Sequence, residues 1–98
     1  MEKKIKTLEV TEVKVKPFTQ NVGRIKGIAT ITLNDQLRLR GLLIIDGAHG
    51  LFVGYPNDPF YKGEDFVTIY NPITRKLREH IEEVVISEYH KAVFEKGE

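Results

Sequence analysis

Three cations in four positions, Arg75, Lys76 and Arg78, open the stretch "NPITRKLREHIEEVVISEYHKAVFEK" at residues 71–96, and six of the chain's fourteen acids follow from Glu79 onward. The spacing of Leu77, Ile81, Val84, Val85, Tyr89, Ala92 and Val93 predicts a helix, with Thr74 as its N-cap because Pro72 disfavours helical geometry just before it. A helix dipole favours acids at the start and bases at the end, so the observed order is reversed. Unpaired N–H groups and gathered cations at one helix end suit an anion such as phosphate. The competing reading pairs Arg75 with Glu79 and Arg78 with Glu82 at i, i+4, on a solvated face. Lys62, Arg24, Lys26, Arg38 and Arg40 would extend a basic patch if the fold brought them to the same side.

Catalytic chemistry finds little to work with. Ser87 is the only serine, lies within the helix stretch and has no nucleophile-elbow motif around it. His49 sits in a glycine turn, and His80 and His90 are ten residues apart, too far for a shared metal at i, i+4 spacing. Glu79 and Glu83 have that spacing but read as a solvated face. The chain has no cysteine, so neither disulfides nor thiolate metal sites arise. No catalytic residue, metal site, cofactor or small-molecule substrate is expected. "GAHG" at 47–50 has the outline of a nucleic-acid-clamping GXXG loop, but that loop joins helices and this one joins apparent strands. Phe52 and Phe66 lack the basic RNP1 pattern of a base-stacking sheet and read as core or interface packing.

The elements that must position these groups follow from period-2 alternation. Leu8–Val15 reads as a strand whose parity shifts near Thr11 or Glu12, the sign of a bulge. "PFTQNVG" reads as a loop. "RIKGIATITL" is a half-buried strand, Asn34 and Asp35 supply a turn, and "QLRLRGLLIID" returns as its hairpin partner, with Leu37, Leu39, Leu43 and Ile45 in one parity. "LFVGY" makes a fourth strand and "FVTIY" at 66–70 a fifth. The expected fold is α+β: an antiparallel five-stranded meander followed by one C-terminal helix, in a single domain over residues 1–98 with an N-terminal extension at 1–7. At 98 residues, with 41% hydrophobic and 30% charged residues, such a domain folds but gains from a partner. "LLII" at 42–45 is apolar in both parities, as if one face met the helix and the other needed a second cover.

Net charge is +1, but the sum hides segregation: residues 1–26 carry +4, 27–60 carry −1, 61–78 carry +2 and 79–98 carry −4. "MEKKIKTLEV" lacks the apolar run of a signal peptide, and no stretch approaches a membrane span of about 20 apolar residues. A cytoplasmic protein is expected.

Across residues 8–93 the chain resembles the SpoVG family, the bacterial septation or stage V sporulation protein G. The resemblance is carried by "VTEVKV" at 10–15, "ATITLND" at 29–35, "IIDGAHGLFVGYP" at 44–56, "PI" at 72–73 and "EYH" at 88–90. It implies a small cytoplasmic homodimer that binds DNA, and sometimes RNA, and regulates gene expression, septation and sporulation. A dimer would supply the second cover for Leu42, Leu43, Ile44, Ile45 and Phe52, the expected interface. The family's nucleic-acid contacts carry over best to Arg78 and more loosely to His80, where a lysine is usual. Arg75 and Lys76 stand where family members often have small polar residues. The family's basic loop after "GYP" is here "NDPFYKG", with Lys62 its one cation. The expected nucleic-acid set is therefore Arg75, Lys76, Arg78, His80 and Lys62. The alternative is a protein-interaction module of the division or sporulation machinery, docking through a strand edge or the acidic helix end, without direct nucleic-acid binding.

Overall fold

The structure, a computed structural model, describes residues 7–63 and 67–96. Four strands, β1 (Val10–Val22), β2 (Ile25–Leu33), β3 (Leu37–Gly47) and β4 (Gly50–Gly54), form one antiparallel sheet in the order β1-β2-β3-β4, followed by helix α1 (Arg75–Lys96). The α+β class and the meander agree with the expectation from the sequence, but among the described residues the sheet has four strands, not five. All of the expected N-terminal extension except Thr7 lies outside the described residues, as does Phe66 at the head of the expected fifth strand.

That fifth strand reduces to a single bridge between Thr68 and Asn57, flanked by hydrogen bonds from Asp58 N–H to Val67 O (2.7 Å) and from Ile69 N–H to Pro56 O (2.8 Å). The next bond of that pairing would run from the N–H of residue 56 to Ile69 O, and Pro56 has no N–H to donate, so the pairing does not propagate past Ile69. Tyr70 is held differently: its hydroxyl donates to the Arg40 carbonyl, and its ring meets that of Tyr55 edge-on at 6.1 Å.

β1 is longer than expected and runs through "PFTQNV". Pro17 is tolerated because β1 is an edge strand, where a missing donor need not break a ladder. It faces Gly27 of β2, where an added Cβ would come within 2.8 Å of the Lys16 carbonyl oxygen. The glycine is what lets the two backbones approach. The expected bulge appears between Val10 and Glu12. Asn34 and Asp35 both have positive φ (51° and 55°), and Gln36 N–H donates to Leu33 O at 2.8 Å, closing the β2–β3 turn.

A second bulge, in β3, decides which residues form the core. Ile31 pairs with Leu39 and Ala29 with Leu42, so Thr30 alone faces Arg40 and Gly41. Gly41 has φ +87°, a conformation that L side chains rarely adopt. The extra residue exchanges the two faces of the strand. Leu39 points toward the helix before it, and Leu42 and Ile44, both 0% exposed, do so after it. A single parity for Leu37, Leu39, Leu43 and Ile45 is therefore wrong: the inward set switches from odd to even numbers at Gly41.

Leu42 and Ile44 join Ala29, Ile31 and Leu33 of β2, Val53 of β4, and Ile81 and Val85 of α1 in the one core. The helix packs against β1, β2 and β4 on that face. Among the described residues no layer covers the opposite face. Its rows follow from the register: Glu12, Thr32 and Arg38; then Lys14, Thr30 and Arg40; then Lys16, Ile28 and Leu43; then Ile45 and Phe52. One end of this open face is polar and the other apolar.

Candidate nucleic-acid interface

Helix α1 begins where the sequence places it. Thr74 Oγ1 accepts Leu77 N–H at 3.2 Å, and the first main-chain bond runs from Arg78 N–H to Thr74 O at 3.1 Å. The N–H groups of Arg75 and Lys76 lie in the turn that helical bonding leaves open. No acid occupies that turn. Arg75, Lys76 and Arg78 are all exposed.

The ion-pair alternative holds for one of the three. Arg75 Nε lies 3.3 Å from Glu79 Oε2, with the two side chains 87% and 68% exposed. An i, i+4 pair so open to water is worth only a few tenths of a kcal/mol. It does not withdraw the guanidinium from solvent. Among the described residues Lys76 and Arg78 have no ion-pair partner, and the expected Arg78–Glu82 pair does not form.

Two neighbours shape the helix start. Beneath it lies Tyr55, whose buried hydroxyl has no hydrogen-bond partner among the described residues. Burial pushes its pKa up to about 12, the Glu82 carboxylate pushes the same way, and Arg78 opposes them. Beside it, a cleft of about 600 Å³ is walled by Leu8, Val10, Ile73 and Leu77, with Thr74 and Lys76 on its rim. Ile73, 88% exposed, stands at the helix entrance.

His80 is half-buried, and its Nε2 accepts the N–H of Val10 at 3.1 Å, which places the imidazole proton on Nδ1. This side chain ties the helix to the first residue of β1. A histidine one turn past three cations gives no sequence signal of that tie. Lys62 is exposed on the connection between β4 and α1 and shares no described polar contact or cavity with the helix start. Arg38 and Arg40 lie on the open face, behind the sheet as seen from the helix. Arg24 is exposed at the β1–β2 turn, where its carbonyl accepts Asp46 N–H at 2.8 Å.

The expected dimer interface is divided by the Gly41 bulge. Leu42 and Ile44 are enclosed beneath the chain's own helix, while Leu43 and Ile45 are half-exposed on the open face and Phe52 is 41% exposed there. The Phe52 ring lies over Gly47, where an added Cβ would come within 2.7 Å of it. No helix among the described residues is long and apolar enough to cross a membrane.

The SpoVG family profile matches residues 8–91. The SpoVG septation protein of Geobacillus thermodenitrificans strain NG80-2 is 38% identical over 84 residues, 86% of this chain and 85% of its own. That of Oceanobacillus iheyensis is 39% identical over 85 residues, 87% of this chain and 86% of its own. That of Bacillus subtilis strain 168 is 37% identical over 84 residues, 86% of this chain and 84% of its own.

Proposed function

The chain belongs to the SpoVG family, and from that premise we propose that it is a non-catalytic, nucleic-acid-binding regulator of septation, sporulation and gene expression, acting in the cytoplasm as a homodimer. DNA is its principal ligand, with RNA bound through the same phosphate chemistry. The observation that carries this reading is the helix start: three exposed cations, no acid in the first turn, and two N–H groups open to an acceptor. Repulsion between these charges and the dipole is unfavourable in the free protein by a few tenths of a kcal/mol per charge, and a phosphate reverses its sign. Phosphate contacts position a protein without reading bases, so sequence preference is modest.

The dimer uses the apolar end of the open face. Ile28, Leu43, Ile45 and Phe52 form a continuous half-exposed surface across three strands, and a second copy laid on it would complete the two-layer burial a sheet requires. Dimerisation doubles a weak cationic patch.

Replacing Arg75, Lys76 and Arg78 together by alanine tests the reading. The salt dependence of affinity for a random-sequence duplex should flatten by up to about 0.9 log units for each phosphate that is no longer neutralised. An unchanged slope would place the binding surface elsewhere. Complete absence of duplex binding by the unaltered protein would favour the docking-module alternative.

A further inference from the structure

The polar end of the open face is a second concentration of cations that the helix start does not include. Glu12, Lys14, Thr30, Thr32, Arg38 and Arg40 line a shallow depression of about 330 Å³ on the sheet. Thr30 and Thr32 line it from β2. Lys14 and Arg40 flank Thr30, and Arg38 flanks Thr32. One acid answers three bases, and Glu12 is already engaged, lying 3.9 Å from Lys14 and accepting the Thr32 hydroxyl at 3.4 Å. Among the described residues Arg38 and Arg40 have no ion-pair partner, and both are exposed.

The backbone holds this arrangement in place. The Gly41 bulge lets Arg38 and Arg40 share a face while Leu42 turns inward, and the Tyr70 hydroxyl donates to the Arg40 carbonyl from the far side of the strand. Two guanidiniums, an ammonium and the Thr30 hydroxyl on a shallow, open surface match the phosphodiester backbone: charge from the bases, a hydrogen bond from Thr30, and no deep pocket for a base.

We infer that Lys14, Arg38 and Arg40, grouped around Thr30 on the uncovered face of the sheet, form a second phosphate-binding surface for nucleic acid, separate from the helix start. The inference rests on the nucleic-acid reading above for its ligand class but not on the helix residues. The two surfaces lie on opposite sides of the sheet, so one straight duplex cannot cover both on a single chain. The protein thus has two places at which to hold nucleic acid, and a protomer can join two segments.

The test measures the salt dependence of binding to a random-sequence duplex for the unaltered protein, R38A/R40A, R75A/K76A/R78A and all five substitutions combined. Both arginines are exposed, and Tyr70 uses a main-chain oxygen, so thermal melts should show R38A/R40A folded. R38A/R40A should lower the slope by up to about 1.8 log units, two phosphates at about 0.9 each. R38K/R40K should restore most of it, because phosphate contact needs the charge more than the guanidinium. The helix variant should keep a residual slope that falls, when all five are replaced, to no more than about 0.9 log units, that of the remaining Lys14 contact. A slope unchanged in R38A/R40A but flattened in the helix variant would overturn this inference and leave the proposed function intact. Loss in R38A/R40A with no change in the helix variant would uphold the sheet surface and overturn the helix one. No change in any variant would overturn both.

Discussion

Leu42 and Leu43 are chemically identical neighbours, and the bulge at Gly41 assigns them opposite fates. Leu42 is 0% exposed among Ala29, Ile44 and the helix, and Leu43 is half-exposed on the open face. Leu42→Ala removes the transfer free energy of the deleted atoms and leaves a cavity that β2 and α1 cannot both collapse to fill. The expected loss is about 3 kcal/mol, from a usual range of roughly 2–5. For a domain of this size that lowers Tm by about 12–24 °C, at roughly 4–8 °C per kcal/mol. Leu43→Ala leaves no enclosed cavity and forfeits part of one side chain's burial, about 1 kcal/mol or less within the chain. Its larger effect is on association, since Leu43 lies on the surface assigned to the second copy. Urea unfolding of both variants at two protein concentrations differing about a hundredfold separates these roles, because only a substitution at the interface changes how stability depends on concentration. Leu42→Ala should be the more destabilised at either concentration, and Leu43→Ala should alter the concentration dependence. A Leu42→Ala loss that vanished at high concentration, or a Leu43→Ala loss equal to it at both, would refute the inward switch at Gly41.

Gly41→Ala should destabilise by about 1–2 kcal/mol through backbone strain at φ +87° alone, since the nearest side chain, Pro56, lies at an ordinary 3.7 Å from an added Cβ. Thermal melts would check it, and a neutral result would mean that the bulge had moved. Tyr55→Phe should raise stability by about 1 kcal/mol, because it removes a buried hydroxyl that has no partner among the described residues. Tyr55 and Tyr70 are both pushed up to about 12 in the folded chain, chiefly by burial, from an unfolded value of 10.0. Their contribution is therefore fully present below pH 10 and is lost as pH rises through about 12. Alkaline unfolding followed by tyrosinate absorbance should be steep in that window and shallower in Y55F/Y70F. His80→Ala removes the acceptor of Val10 N–H, so the amide of Val10 should exchange faster with little change in global stability.

The helix was legible to the residue at its start, because Thr74 and Pro72 are local signals and the cap bond involves neighbours in sequence. Turn positions at Asn34–Asp35 and Gly47–Gly50 were equally readable. The β3 bulge was not. "LRLRGLLII" alternates convincingly in either frame, and only the pairing of Ala29 with Leu42 and Ile31 with Leu39 shows where the extra residue sits. Gly41 was the available signal, a glycine at the point where alternation gives way to a continuous apolar run. "FVTIY" carries a strand's composition, but the segment it bridges contains Pro56, and composition does not report what lies alongside. The cations at the helix start were visible in the sequence, but the separation of Arg38 and Arg40 from them by a whole sheet depends on topology. The role of His80 spans seventy residues of sequence to reach Val10, and no spacing rule finds it.

Amide chemical shifts followed while a short random-sequence duplex is titrated into the protein test the central claim most directly. At low salt the amides of Arg75, Lys76 and Leu77 should move in step with added duplex and return as salt is raised. Shifts that left residues 74–78 in place while the duplex bound would contradict it.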